Sequence, residues 1–517
     1  MKQGESLNRI IWGIPLSFLI LRIVMQGILF PWELSGDEAQ YWDWTRNPSL
    51  SYYTKGPGVP WLITAMTSFF GDTILGIRSG TFLCHAIAGI AVGLLARTIS
   101  KGQRNVVLYS SLGFQCVLAY QVSGSLMTVD MMMVAGWLVA TVAAVETYEK
   151  ILCHESVKGP LAWMGIGLGF AFLAKYTALL GLLGIVLGLW PVRKKLISAK
   201  GFSSGITMCA VFFLLGVAPV VIWNATRGWP TVSHLLGHLH VEGGDSGTTS
   251  WLDFNPMWTV TYFLQVLGLA GPFLGYILFR GSWSTWKRRD SAPGSEHVAL
   301  WSALPVLIFY LLVSIKGSTE GNWMAGAYGP LIPLGACWLL RETKPGLQSG
   351  LTKIIAARSL FTGFILLSLP FLGPLLNEGL KKWDATPLSL HRISGHSTFA
   401  TDLHRLLTDN DLLEQPIVCD YYDKTALLAF YLPNKPAIHC ASVILGSRPS
   451  AYDDFESTRF PQERHLNKKL VFVGADESRW KQHLDLSSLE PLGMIKQRNR
   501  PREIFVGTLN SLKGGSP

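Results

Sequence analysis

Charge is scarce in this chain. Asp, Glu, Lys and Arg make up 15% of its 517 residues, against about a quarter in soluble domains. Hydrophobic residues make up 49%, many of them in apolar runs of roughly 20 residues, the length that spans a bilayer as a helix. The shortage therefore excludes an ordinary soluble globule. The seven cysteines form no CxxC pair and no metal-ligand spacing, so no zinc or dithiol signature is present. Cys84, Cys116, Cys209 and Cys337 fall in apolar segments as core residues. Cys419 and Cys440 share the C-terminal region and would be able to pair in an oxidising compartment. There is no internal repeat and no low-complexity region before the tail. Basic residues exceed acidic ones, 44 to 34, but they do not gather on one soluble face, which argues against nucleic acid as a partner.

The basic residues cluster instead in short loops at 97–104, 193–200, 280–289 and 341–358, the pattern of loops retained on the cytoplasmic side. Apolar spans are expected at 10–30, 74–96, 106–122, 127–145, 161–174, 178–190, 206–223, 258–279, 298–315, 323–340 and 360–376. The first is read as a retained helix, because no small-residue cleavage site follows it. Residues 59–70 are apolar but short, and are read as a short or interfacial helix. The result is a mainly α, polytopic bundle of about 11–13 helices, counting short ones, over residues 1–380. Residues 381–517 turn polar, with short β-rich runs at 416–421, 437–440, 469–473 and 503–509 and a helical piece at 425–432, and read as a small extracytoplasmic α/β domain. Nineteen tryptophans fit interfacial belts. With the basic loops inside, Asp37, Asp130, Lys175, the loop 234–240 and the loop 316–322 all fall on the opposite, periplasmic face of an inner membrane.

Those polar residues are the candidates for chemistry. Asp37 and Glu38 follow Ser35-Gly36 among Tyr41, Trp42, Trp44, Tyr52 and Tyr53; a partly desolvated carboxylate there is able to take a proton from a hydroxyl or to ligate a divalent cation. Lys55, set against Gly56-Pro57-Gly58, presents a compact positive charge suited to a phosphate, or else snorkels to lipid head groups. Asp130 opens an apolar helix, where a carboxylate is costly unless paired. Lys175 between two apolar segments needs a partner too, with Asp130, an anionic ligand or a head group as the choices. His234 and His238 are four apart on one helical face, a spacing some metal sites use, and His240 completes a histidine-rich loop suited to hydrogen bonding sugar or phosphate. Glu320 and Asn322 precede Trp323 and Tyr328, either binding sugar hydroxyls or capping a helix.

Taken in order, Gly36-Asp37-Glu38-Ala39-Gln40-Tyr41-Trp42, Leu50-Ser51-Tyr52-Tyr53-Thr54-Lys55-Gly56-Pro57, Asp130 after Met-Thr-Val, Leu173-Ala174-Lys175-Tyr176-Thr177, the loop from Trp223-Asn224 to Trp229-Pro230, and Asn322-Trp323 to Tyr328-Gly329-Pro330 resemble the membrane-embedded GT-C glycosyltransferases. The resemblance is to the bacterial branch related to protein O-mannosyltransferases and lipid A aminoarabinose transferases; residues 421–433 are similar to the soluble tail of that branch. It implies inverting transfer of a sugar from a polyprenyl-phosphate carrier to a hydroxyl or phosphate group of a lipid, glycan or protein acceptor. By the same resemblance Asp37, with Glu38 beside it, serves the acceptor. Lys55 and Tyr52 hold the carrier phosphate, Lys175 helps bind sugar or phosphate, Tyr328 contacts phosphate, and Asp130 positions sugar or a basic partner; His240, Glu320 and Asn322, read from the residues alone, are candidates for positioning sugar or acceptor. A divalent metal ion is a candidate cofactor, with Asp37, Asp130, His234 and His238 as ligands. Relatives commonly carry Glu or Asp before the lysine and Pro-Pro after it; Thr54 and Gly56 depart from that pattern and weaken the case for a metal. The rival reading is a lipid or solute transporter or flippase; a third is a non-catalytic assembly subunit.

Overall fold

The computed structural model describes residues 2–239, 241–245, 254–289, 294–342, 350–381, 392–497 and 500–511. In chain order, the helices of the N-terminal part are α1 (Lys2–Arg22), α2 (Gly36–Thr45), α3 (Gly58–Phe70), α4 (Ile74–Ile99), α5 (Arg104–Gln115), α6 (Leu118–Ser123), α7 (Val129–Leu152), α8 (Lys158–Ala174), α9 (Ala178–Leu189) and α10 (Arg193–Ile197). They continue with α11 (Phe202–Ala225), α12 (Pro230–His238), α13 (Pro256–Ala270), α14 (Pro272–Lys287), α15 (Ser295–Val313), α16 (Ala325–Glu342) and α17 (Gly350–Lys381). The C-terminal part adds α18 (His396–Asp409), β1 (Ile417–Cys419), α19 (Tyr422–Tyr431), β2 (His439–Cys440), β3 (Lys469–Val473), α20 (Glu477–His483), β4 (Asp485–Gln497) and β5 (Arg500–Ser511). The expected class, a helical membrane protein with a small C-terminal α/β region, is the one observed.

Among the described residues six helices are long and apolar enough to cross a membrane, or seven if the bent pair α13–α14 is one span. That pair corrects the expected single helix at 258–279: Gly271 (φ +90) and Pro272 break it, and the halves meet at 100°. Left-handed backbone is inexpensive only for glycine, and proline supplies no N–H to continue the ladder. The expected helix 106–122 is likewise divided, into α5 and α6. The apolar helix α3, of 13 residues, is about 20 Å long at 1.5 Å per residue and falls short of the hydrocarbon thickness, as read from the sequence.

The chain packs as two compact units. One comprises Met1–Phe30, Lys55–Val59 and Arg78–Gly379; the other comprises Pro31–Thr54, Pro60–Ile77 and Leu380–Pro517. The sequence division at residue 380 kept residues 33–58 with the helices, whereas by packing most of that loop groups with the C-terminal region.

In the first unit, small residues let helices approach backbone to backbone. A Cβ on Gly167 of α8 would lie 2.6 Å from the Gly136 carbonyl of α7, and one on Gly165 would lie 2.3 Å from the Cys209 carbonyl of α11. Such contacts replace the hydrophobic drive that lipid removes. The second unit holds a five-stranded sheet in the order β2-β1-β3-β5-β4. Strands β2, β1 and β3 run parallel, and β5 is antiparallel to both β3 and β4. Phe472, Trp480, Phe505 and Leu509 form its core. Cys419 and Cys440 lie opposite each other on β1 and β2, and both are free, buried thiols.

Gly167→Leu places a branched side chain where α7 backbone already sits. The cost is that of overpacking, about 1–3 kcal/mol or more, read as a lower thermal midpoint of the purified protein. An unchanged midpoint would contradict this packing.

Candidate functional site

In the first unit a buried ion pair organises the polar residues. Thr128 caps α7, its Oγ1 accepting from the Asp130 N–H at 3.4 Å and donating to Asp130 Oδ2 at 3.3 Å. Lys175 stands at the break between α8 and α9, and its Nζ donates to Asp130 Oδ1 at 2.8 Å. Asn322 Nδ2 donates to Asp130 Oδ2 at 3.0 Å. Both carboxylate oxygens are thus taken, and Asp130 and Lys175 are both buried. Of the partners the sequence left open for Lys175, Asp130 is the one observed, and Asn322, read as sugar-binding or capping, serves the same carboxylate.

Lys55 is brought to this cluster by glycine. A Cβ on Gly56 would lie 2.3 Å from the Leu173 carbonyl, and one on Gly58 would lie 2.9 Å from the Leu173 backbone. The lysine is therefore pinned to the chain two residues before Lys175. Lys55 also acts electrostatically on His234. His234 and His238 share a face of α12, as their spacing predicts. His234 Nδ1 lies 2.8 Å from Asp245 Oδ2, and its Nε2 lies 3.1 Å from His238 Nε2. A ring nitrogen against a carboxylate donates, so His234 Nε2 accepts from the His238 N–H. Burial, reinforced by His238 and Lys55 against the opposing Asp245, lowers the His234 pKa to about 4, and the ring is neutral near pH 7. His238 meets the edge of Trp323 at 5.6 Å, and Trp323 Nε1 donates to Glu320 Oε2 at 3.1 Å. Glu320 and Tyr310 are also electrostatic neighbours of Lys175. The first unit thus gathers Lys55, Asp130, Lys175, His234, His238, Glu320 and Asn322. His240 lies outside the described residues. Tyr328 sits inside α16 with its ring 6.2 Å from that of Tyr120, and its buried hydroxyl has no hydrogen-bond partner among the described residues.

The donor set does not suit a divalent cation. Hard cations take several free oxygens, while those of Asp130 are held by an ammonium, an amide and a hydroxyl, and both ring nitrogens of His234 are engaged. No three His, Cys, Asp or Glu side chains converge among the described residues.

The second unit carries Asp37, Glu38 and Tyr52. Ser35 and Glu38 form a capping box for α2: Glu38 Oε2 accepts from Ser35 N at 2.9 Å and from Ser35 Oγ at 3.1 Å. Glu38 is fully buried, and the contacts its carboxylate makes here are those of a helix cap. The signal was present as Ser-x-x-Glu. Tyr52 is likewise engaged within the protein. Its ring stacks on Trp44 at 4.4 Å, and its hydroxyl is turned into its own loop, toward the carbonyls of Trp44 (3.1 Å) and Asn47 (3.3 Å). Burial raises its pKa to about 12. Asp37, by contrast, is exposed in the first turn of α2 and is an electrostatic neighbour of the Tyr422 phenol on α19. Sequence reading missed Asp43, one α-helical turn and a half beyond Asp37. It is buried on α2 beside Arg46, 3.1 Å away, and burial, against the opposing Arg46, raises its pKa to about 6.

The model of the dolichyl-phosphate-mannose-protein mannosyltransferase family matches residues 54–223. The chain is 27% identical over 344 residues to the lipid A galacturonosyltransferase RgtD of Rhizobium johnstonii, covering 66% of this chain and 67% of that one. It is 24% identical over 345 residues to the undecaprenyl phosphate-alpha-4-amino-4-deoxy-L-arabinose arabinosyl transferase of Pectobacterium atrosepticum, covering 63% of this chain and 55% of the relative. Among solved structures, ArnT from Cupriavidus metallidurans bound to undecaprenyl phosphate superposes with a TM-score of 0.62 over 98% of both chains at 13% identity. The fold is therefore that of ArnT, and over about two thirds of its length the chain is similar in sequence to lipid A sugar transferases.

Two measurements test these assignments. Asp130→Asn leaves a buried ammonium unpaired and costs about 3–5 kcal/mol; Asp130→Asn with Lys175→Met recovers part of that loss in thermal unfolding, and additive losses would contradict the pair. A carboxyl whose folded pKa is raised above its unfolded value contributes fully below about pH 4, and the contribution is lost as pH rises through about 6. The wild type therefore gains stability relative to Asp43→Asn as pH falls from about 7 to 5, and a pH-independent difference would contradict this.

Proposed function

We propose that this chain is an inverting glycosyltransferase that moves a sugar from a polyprenyl-phosphate carrier to a hydroxyl or phosphate group of a lipid A-type acceptor, at the periplasmic face of the inner membrane. The observation that carries the reading is the pinning of Lys55 beside the Lys175 segment through Gly56 and Leu173. It places a second lysine beside the Lys175–Asp130 pair. The named activities of the relatives support the same reaction class over a transporter. The positive-inside distribution of basic loops supports the orientation.

The chemistry divides as follows. The acceptor oxygen bonds to the anomeric carbon while the bond from that carbon to the carrier phosphate oxygen breaks. The electron pair leaves with the phosphate, and the acceptor proton passes to Asp37. A lipid phosphate is a leaving group that needs positive charge rather than a proton, and Lys55 supplies it where charge develops. Lys175, held by Asp130 and Asn322, donates to donor oxygens through its remaining N–H groups. Asp130 acts by orienting Lys175. His238, Trp323 and Glu320 line the sugar side, and the Tyr328 hydroxyl is a candidate donor to phosphate because it makes no hydrogen bond among the described residues. One displacement with one base inverts the anomeric centre and needs no second carboxylate as nucleophile.

With labelled undecaprenyl-phosphate galacturonate or aminoarabinose and lipid A, Asp37→Asn lowers turnover by about 10²–10⁴-fold while donor binding persists. Lys55→Ala lowers both turnover and donor affinity. Near-normal transfer in both variants would remove these roles, and translocation of intact carrier lipid without any glycoside product would favour the transporter.

A further inference from the structure

The sheet of the second unit has a crevice that the transfer chemistry does not use. Strands β1 and β3 are parallel neighbours, yet their connections run opposite ways: β1 leads through α19 to β2 on one side, and β3 leads through α20 to β4 and β5 on the other. Ligands of open α/β sheets bind beyond the carboxyl ends of two such strands. Here that place holds a cavity of about 330 Å³, lined by Asp420, Tyr421, Asp423, Lys424, Ser447 and Arg479, within the range of about 300–1,000 Å³ for small-molecule sites.

The lining is built rather than incidental. The Asp420 N–H donates to the Val473 carbonyl at 3.1 Å, tying the ends of β1 and β3 together. Both Asp420 oxygens accept from Lys424 Nζ at 2.9 Å. Gly474, at φ +116, leaves room for that carboxylate, since a Cβ there would lie 2.1 Å from Asp420 Oδ1. Arg479 donates to the Leu445 carbonyl at 2.8 Å, which uses one of its five N–H donors.

The chemistry of the lining selects its ligand. Nucleotides at such crevices rest their phosphates on a glycine-rich turn at a helix N-terminus. In this chain the turn reads Cys419-Asp420-Tyr421-Tyr422-Asp423, and the Asp423 carboxylate already accepts from the Lys424 N–H at 2.7 Å. Two carboxylates where the phosphates would lie repel an anion. Two acids and two bases balance, while a hydroxyl and a phenol ring complete a set able to accept from and donate to vicinal hydroxyls and to cover a sugar face. The crevice also borders the first loop: a Cβ on Gly36 would lie 2.6 Å from Asp423 Cβ, and Asp37 follows Gly36 directly.

We propose that this crevice is a saccharide subsite that seats the sugar headgroup of the acceptor, so that its hydroxyl or phosphate is offered to Asp37. The assignment rests on the glycosyltransferase reading for its acceptor role and on the lining alone for saccharide binding.

The full chain in nanodiscs provides the test, with Tyr421→Ala, Tyr421→Phe and Arg479→Gln checked for unchanged thermal unfolding. Tyr421→Ala and Arg479→Gln raise the KM for lipid A at least roughly tenfold, leave the donor KM unchanged, and Tyr421→Phe restores the wild-type value. Saturation-transfer NMR with the deacylated, dephosphorylated glucosamine disaccharide shows binding to the wild type that Tyr421→Ala abolishes, and inorganic phosphate does not compete. An unchanged acceptor KM together with unchanged disaccharide binding overturns the proposal, as does displacement by inorganic phosphate. Disaccharide binding lost in Tyr421→Ala, in a protein that transfers no sugar, keeps the subsite and overturns the transferase reading instead.

Discussion

The close approach of Gly56 to the Leu173 carbonyl is the constraint on which the cation cluster depends. No residue with a Cβ fits at 2.3 Å from a carbonyl oxygen without displacing backbone, and Lys55 is fixed by that contact. The Thr54-Lys55-Gly56 departure from the family pattern becomes intelligible at this point. A proline in place of Gly56 would drive its ring into α8, so the loop gives up the stiffness of Pro-Pro and is held instead by contact with a helix end. The same helix end carries Lys175, whose buried ammonium is tolerable because Asp130 meets it at 2.8 Å. Backbone packing and a desolvated ion pair thus jointly set where positive charge stands.

Glycine plays the same part in the second unit, to a different end. Gly36 lets α2 lie against Asp423, and Gly474 clears space for Asp420. A helix from the first loop and the open end of the parallel strands thereby become neighbours. The aromatic residues around them act as structural ballast: Trp44 stacks on Tyr52, and Trp42 meets Phe430 edge-on at 5.0 Å while its Nε1 donates to Asp72 at 2.9 Å. The aromatic cluster around Asp37 and Glu38 is largely a packed core holding α2 in place.

That distinction marks how far the sequence can be read. Asp130 and Lys175 were legible because a charge in an apolar run must find a partner, and the run itself announces the problem. The helix class and strands β1, β2, β3 and β5 follow from periodicity and β-branched runs. Strand β4 escaped because it is polar, carries Pro491 and Gly493, and pairs with β5 through register shifts. The bend at Gly271-Pro272 was written in the residues but hidden by an unbroken hydropathy window. The orientation of Tyr52 was hidden for a deeper reason: whether a tyrosine hydroxyl faces outward or its own loop depends on a stack eight residues away, which no local pattern encodes.

The corrections narrow the chemistry. Glu38 spends its carboxylate on the Ser35 cap, Asp130 on Lys175 and Asn322, and Asp43 is buried with a pKa raised to about 6. Each of the three is buried. Asp37, exposed in the first turn of its helix, is the carboxylate to which the proposed reaction assigns the acceptor proton. One base suits the proposed reaction, because a leaving group that departs as an anion onto fixed cations needs no proton and the step asks the protein for one proton acceptor.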